Sequence, residues 1–407
     1  MLDPQRRRSL SILFVTALLF WSSLASLLPT LPLYVQYVGG TKQQIGLVMG
    51  AFAIGLLFSR RWLGSEADTK GRKRVVLIGA VVAMLAPLCY LFVKSIPLLL
   101  VTRAFHGISI AAFTTGYSAL VTDISPPNRR GELIGLMSLA NPLGMAFGPA
   151  LGGYVQAWAG YTPLFIISSC LGFLSLICTT QVWEPGYGDG DKSETGEVNQ
   201  AEPYWQLLWT PRIRIPTIVL LLIGLVFGTL STFIPLFIKE TGVDLNVGLF
   251  YTTAAIASFL IRFPVGRASD RYGRGLFITG GLLCYAISMC ILSMAHHSSA
   301  FLLGAFLEGC GAGTVFPMII TLISDRATAQ ERGRLFSLCI GGFDLGMAIA
   351  GPTLGFVAEL VGYRNMFILG TGLASLATLI FVTFSSKDIP HSLRFALGQG
   401  KDIYAIK

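Results

Sequence analysis

The chain alternates long apolar runs with short polar breaks. Runs long enough to cross a bilayer, about 20 residues each, lie at 10–35, 45–63, 75–94, 97–121, 133–157 and 162–183. After a polar stretch, six more follow at 215–238, 246–266, 275–295, 299–323, 334–358 and 363–384. The pattern predicts an all-α membrane protein with twelve transmembrane helices, spans 1 to 12, in two pseudo-symmetric six-helix bundles. The bundles cover residues 1–183 and 215–385, with a cytoplasmic linker at 184–214 and a tail at 386–407.

The halves are copies of one unit. Gly64, Asp68, Gly71 and Arg72 recur as Gly266, Asp270, Gly273 and Arg274, each 202 residues on. The same offset joins Gly46 to Gly248, Arg60 to Arg262, Gly107 to Gly309, Asp123 to Asp325, Arg130 to Arg332 and Gly144 to Gly346. One offset shared by several residue types marks an internal repeat. Each half has an even number of spans, so the repeats are parallel, related by an axis along the membrane normal.

Composition supports this reading. Hydrophobic residues make up 53% and charged residues 13%, too little charge to cover a soluble surface. The net charge of +9 is spread between apolar runs. Nucleic-acid binding needs a contiguous basic face, and none is present. With both termini in the cytoplasm, the inner loops, tails and helix ends hold 25 of the 30 Lys and Arg residues. The positive-inside rule then predicts a multi-pass protein of the inner (plasma) membrane with both tails cytoplasmic. Arg6-Arg7-Arg8 and the run behind them resemble a signal peptide. That run is too long for one, and it is expected to stay as span 1.

The linker is Gly-rich and acidic over 184–204, a composition that extends rather than packs. Trp205-Gln-Leu-Leu-Trp209 is expected to be an interfacial segment or an extension of span 7. All seven cysteines fall in apolar runs without a C-x-x-C pair, so neither metal nor redox chemistry is expected. No nucleophilic triad, metal-ligand cluster or nucleotide-binding loop is present. The protein is therefore expected to be no enzyme, to hold no cofactor and to draw on an ion gradient, the proton's being the first candidate.

The stretch from Gly64 through Asp68, Gly71, Arg72 and Lys73, with its second copy, resembles the signature of the major facilitator superfamily. Within that superfamily the chain is similar to the twelve-helix drug:proton antiporter group. The resemblance covers residues of roughly 10–385. It implies that Asp68 and Asp270 latch the cytoplasmic side shut, near span 11 and span 5. An acid at a helix C-terminus needs compensation, expected from Arg72, Lys73 or a neighbouring helix. The glycines are expected to allow tight turns and close approach. Asp123, Asp325, Arg130 and Arg332 are expected to join these gate charges. Trp62 departs from the pattern, since Pro264 stands at its place in the second copy.

Span 5 carries Gly135, Gly144, Gly148, Pro149, Gly152 and Gly153, which match the superfamily's antiporter motif. Gly144, Gly148 and Gly152 recur every fourth residue, giving one small-residue stripe for close helix packing. Span 11 has only a degenerate copy. In the family the motif accompanies export.

Span 4 holds Arg103 and His106. Ionisable groups inside a span are costly and by default mark function. The second half breaks the symmetry, with Ala305 and Glu308 at the equivalent places. His106, Glu308 and Asp344 are expected about 12–14 Å from their helix ends, near the depth where such transporters bind substrate. Glu308 and Asp344 are the proton-carrier candidates, tuned by Arg103. Trp21 and Tyr117 are aromatic candidates for lining an apolar cavity.

The expected activity is proton-coupled export of small organic or amphiphilic compounds by a monomer whose partners are its small-molecule substrate and the lipid bilayer. Uptake of a sugar or organic acid by symport is the alternative within transport. A non-transporting sensor or assembly protein is the alternative outside it.

Overall fold

The computed structural model describes residues 3–126, 129–184, 207–328 and 331–406. Of the linker expected at 184–214, residues 185–206 lie outside the described residues, as do the side chains of Arg61 and Arg332. Helices dominate and the described residues contain no strand.

Span 1 is two helices, α1 (Pro4–Ser26) and α2 (Leu31–Tyr37). The single run expected at 10–35 is interrupted because Pro29 and Pro32 offer no amide donors. Span 2 is α3 (Lys42–Lys70), opened by a capping box between Thr41 and Gln44. Spans 3 and 4 are α4 (Arg72–Phe92) and α5 (Ile96–Ile124). Span 5 is also split, into α6 (Arg130–Ser138) and α7 (Ala140–Ala159). The break falls where Pro142 cannot donate to the carbonyl of Ser138. Span 6 is α8 (Tyr161–Thr180).

In the second half, α9 (Arg214–Thr241), α10 (Val247–Tyr272), α11 (Arg274–Ser293) and α12 (Ser298–Asp325) form spans 7 to 10. Residues before α9 form turns, so helix 7 does not extend back to Trp209. The next helical stretch, α13 (Arg332–Phe384), is 53 residues long, about 80 Å and too long for one crossing. It folds at Gly362, where φ is 80°. Eleven described stretches are long and apolar enough to cross a membrane, and the fold at Gly362 divides the last into two, making twelve spans. A short helix, α14 (Ile389–Ala396), closes the chain.

The repeat is written in the backbone. Gly71 and Gly273 both take positive φ, 105° and 87°. Gly160 and Gly362, another pair at the 202-residue offset, take 85° and 80°. Only glycine adopts this region without strain, so each marks a one-residue reversal between spans. The turn expected around Gly64–Arg74 is therefore narrower than the sequence suggested. α3 stays helical through Gly64 and Asp68 and breaks only at Gly71. Gly64 and Gly266 serve neither a turn nor a close approach, because a β-carbon on either would meet nothing within 4 Å.

The contacts divide into two compact units. The first holds the described residues up to Glu184 together with Ser231–Ala255 and Gly351–Glu359. Its core is aromatic and aliphatic: Phe20 of α1 stacks on Phe113 of α5 at 3.8 Å, among Leu13, Val76, Ala83 and Leu120. The second holds the remaining described residues from 207 to Leu230, Ile256–Ala350 and Leu360 onward. There Phe343 of α13 packs against Phe227 of α9 and Phe316 of α12, with ring centroids 5.7 and 5.6 Å away.

Candidate functional site

Four arrangements concentrate the chemistry. The first is a pair of charge triads where spans meet. Arg72 binds Asp68 at 2.7 Å and Asp123 at 2.9 Å. In the second half Arg274 binds Asp270 at 2.6 Å and Asp325 at 3.4 Å. Each Asp at its helix C-terminus thus pairs with the arginine four residues on. Lys73 is used differently: its Nζ donates to the carbonyls of Thr180 and Val182, both at 2.8 Å. Glu184 completes this corner by accepting from the amides of Arg72 and Lys73, an acidic cap at the start of α4. Arg130 is exposed and makes no ion pair among the described residues.

The second arrangement lies at the opposite end of the spans, and its pairings were not legible in the sequence. Gly46 of α3 and Gly351 of α13 meet backbone to backbone. The equivalent pair, Gly248 of α10 and Pro149 of α7, meets in the same way. Gly153 packs on Asn246 and Gly248 beside it. Polar contacts surround both crossings. Lys42 pairs with Glu240 at 3.4 Å, the Gln43 amide donates to Glu359 at 3.2 Å, and Thr252 donates to the Ala146 carbonyl at 2.9 Å. All these residues belong to the first unit. The signal was present as the Gly46–Gly248 spacing, but spacing alone names no partner.

The third arrangement is the glycine stripe. Gly144, Gly148 and Gly152 of α7 all face α1, against Trp21, Ser22, Ala25 and Ser26. Gly135 takes no part, since a β-carbon there would meet nothing within 4 Å. In the second half the small residues change sides. Gly224 and Gly228 of α9 receive Phe343, Met347 and Ala350 of α13, while Gly342 and Gly346 receive Thr217 and Leu221. The degenerate motif of span 11 is compensated from span 7, and close packing survives.

The fourth is the set of buried polar groups. Arg103 and His106 sit together inside the first bundle, their nitrogens 3.5 Å apart. The Arg103 guanidinium rests on the Phe52 ring at 4.3 Å, a favourable cation–π geometry. The Tyr90 hydroxyl lies 3.3 Å from His106 Nδ1. An arginine has no lone pair to offer, so Nδ1 accepts and the imidazole proton resides on Nε2. That Nε2 and Arg103 Nε are buried without hydrogen-bond partners among the described residues. No carboxylate pairs with Arg103 among those residues.

Glu308 is 6% exposed on α12 and has neither ion pair nor hydrogen bond among the described residues. Asp344 is 5% exposed and follows the Phe343 cluster. Glu308 and His106 each lie ten residues into their helices, about 15 Å along the axis. Tyr117 is placed apart from Arg103, and Trp21 sits against α7. Trp21 packs under Gly144, and Tyr117 stacks on Phe113 at 5.3 Å and donates to the Met137 carbonyl. Fourteen residues of α5 separate Tyr117 from Arg103, about 21 Å.

Twelve spans in two repeats, paired charge turns and a glycine stripe set the frame for comparison. The sequence profile of the Major Facilitator Superfamily matches residues 12–261 and again 244–401. The chain belongs to the Major Facilitator Superfamily. It is thus a multi-pass membrane transporter, and the family's members are transporters rather than enzymes. The staphylopine export protein of Staphylococcus aureus is 26% identical over 388 residues, covering 93% of this chain and 96% of that protein. The multidrug resistance protein MdtG of Salmonella arizonae is 26% identical over 381 residues, covering 90% and 92%. Among solved structures, the nucleoside transporter NupG superposes with a TM-score of 0.77 at 13% identity, over 91% of this chain and 98% of that one. A bacterial homologue of the lysosomal transporter Spinster reaches 0.75 at 14% identity, over 99% and 100%. At such identities the structural likeness speaks for the superfamily fold alone.

Proposed function

We propose that this superfamily member is a proton-coupled exporter of small amphiphilic organic compounds, acting as a monomer with both termini in the cytoplasm. The observation that carries the reading is the stripe of Gly144, Gly148 and Gly152 seated on α1. It gives α7 a smooth face on which to pivot, and it belongs to the motif that accompanies export. Two relatives similar over nearly their whole length are named for export and for multidrug resistance, which supports the same direction.

Transport then alternates between two closures. One is the pair of crossings at Gly46–Gly351 and Gly248–Pro149, which part to release substrate. The other is formed at the cytoplasmic ends, where the Asp68–Arg72–Asp123 and Asp270–Arg274–Asp325 triads hold the turns that must seal it. Glu308 is the proton carrier in this scheme, because its carboxyl is buried with no cation among the described residues to fix its charge. Asp344 is the second candidate. Arg103 and His106 set the polarity of the first bundle from within.

The test is efflux measured in everted vesicles with an imposed proton gradient. Export should stop when the gradient is collapsed. Glu308→Gln should abolish proton-driven export while leaving binding of a transported dye intact. Export that persists without a gradient would refute the coupling, and a fully active Glu308→Gln protein would remove that residue from it.

A further inference from the structure

The tail after span 12 carries no recognisable sequence motif, yet side-chain and backbone hydrogen bonds tie it to the second unit. At its centre is Arg326, just past α12, with a fully buried side chain. Arg326 binds the Asp402 carboxylate through Nε at 2.7 Å and Nη2 at 2.9 Å. It also donates to the carbonyls of Arg212 and Ser385, and it faces the rings of Phe395 and Tyr404. The Ile406 amide donates to the carbonyl of Asp325, a triad residue. One buried arginine therefore folds the tail back onto the bundle.

This fold presents α14 in a defined way. Ser392, Phe395 and Ala396 are buried, with the Phe395 carbonyl pressed against Gly275. Gly275 is the second residue of α11, so α14 lies at the end of a span, the depth of the boundary between hydrocarbon and headgroups. Ile389, Leu393 and Leu397 recur every fourth residue and are 53%, 40% and 52% exposed. At 3.6 residues per turn they form one stripe beside the buried face. The stripe runs out beside an exposed apolar surface. A β-carbon on Gly398, the residue after Leu397, would meet Leu276 at 3.3 Å, and Leu276, Leu283 and Ile287 form the exposed apolar side of α11.

The charges point the same way. The acids near α14 are occupied internally, Asp402 by Arg326 and Asp388 by the amide and ring of His391. Lys387, Arg394 and Lys401 are exposed and make no ion pair among the described residues. An amphipathic helix with an apolar stripe, an exposed arginine on it and an exposed lysine on either side has the chemistry of an interfacial anchor.

We infer that the tail, residues 386–406, is a lipid-docking element. α14 sets Ile389, Leu393 and Leu397 into the leaflet while Lys387, Arg394 and Lys401 hold anionic phospholipid headgroups. Arg326 transmits that docking to the Asp270–Arg274–Asp325 triad.

The experiment uses the full-length protein in nanodiscs of phosphatidylcholine alone or mixed with phosphatidylglycerol, read by amide hydrogen exchange over 386–406. Phosphatidylglycerol should slow exchange in this segment, and high salt should reverse the effect. Each basic residue at an anionic surface contributes about fivefold in affinity, so K387Q/R394Q/K401Q should lose on the order of a hundredfold in lipid preference. The wild-type comparison needs no variant, so a misfolded mutant cannot obscure the answer. Identical exchange in the two lipids would overturn the proposal, as would full lipid preference in the triple variant. Protection that follows protein concentration rather than lipid charge would instead assign the stripe to a second copy of the chain.

Discussion

The carbonyl of Gly351 stands where a β-carbon on Gly46 would have to go, and the carbonyl of Gly46 stands in the same way against Gly351. No side chain fits without parting the two helices, and overpacking of this kind costs about 1–3 kcal/mol. The penalty applies only while the crossing is closed. Gly46→Val or Gly351→Val should therefore shift the population toward the state with this end open. With the native cysteines replaced, a Lys42→Cys/Glu240→Cys pair should crosslink well in the parent and poorly in the valine variants. Equal crosslinking would contradict the closure.

Arg103 offers a test that separates function from stability. A buried cation without a carboxylate partner contributes little to folding, and an apolar residue of similar size often replaces such a charge at no loss. Arg103→Met should unfold within about 2 °C of the parent on the usual scale, and lose proton-driven transport. A large fall in thermal stability would make Arg103 a packing residue.

Asp68 and Asp270 are 73% and 69% exposed in their pairs with Arg72 and Arg274. Exposed ion pairs are worth at most about 1 kcal/mol. Asp68→Asn and Asp270→Asn should hardly change the melting temperature, yet should slow transport at least tenfold if the triads seal a gate. Wild-type transport rates in both variants would leave the triads as ordinary helix caps.

Gly160 and Gly362 adopt positive φ with extended ψ, a region that costs other residues about 1–3 kcal/mol. Gly160→Ala and Gly362→Ala should each lower the unfolding midpoint, and by similar amounts, because the repeat uses them identically. Gly64→Ala, inside a helix with open space around it, should be neutral or slightly stabilising. Denaturant titration of the four proteins in one detergent checks the order.

Asp388 caps α14 by accepting from the amide and ring of His391, and these bonds hold its carboxyl below the ordinary range. A depressed carboxyl contributes stability above its unfolded pKa, about 3.9, and loses it as pH falls through the lower folded value. The tail should thus stay docked at neutral and mildly acidic pH and loosen only in strong acid. Asp388→Asn keeps a capping oxygen and should remove that dependence. Amide exchange of 389–396, corrected for intrinsic rate, should separate the two proteins below pH 4 and not at pH 6. Loosening of the wild-type tail already near pH 6 would assign the switch to another group.

Much of this fold could be read from the chain alone. Hydropathy located each span, and the 202-residue offset found the repeat. The stripe of Gly144, Gly148 and Gly152 announced a close helix contact, though not that α1 would fill it. Gly64 misled, because a glycine marks a turn only where the backbone demands positive φ. Gly71 meets that demand and Gly64 does not. At the candidate site, the sequence singled out Arg103, His106 and Glu308 but not their neighbours. Phe52 and Tyr90 come from other helices, and nothing in their local context signals the contact.

The sequence by itself determined the number of spans, the two-copy plan and the places of Arg103, His106, Glu308 and Asp344 inside the spans. These follow from local quantities, namely the cost of polar groups in hydrocarbon and the length needed to cross it. Tertiary structure alone decided that Gly46 meets Gly351, that glycines of α9 stand in for those missing from α13, and that Arg326 is the clasp for Asp402. Such choices depend on which face of one helix meets which face of another, and residues far apart in the chain carry no record of that in their order along it.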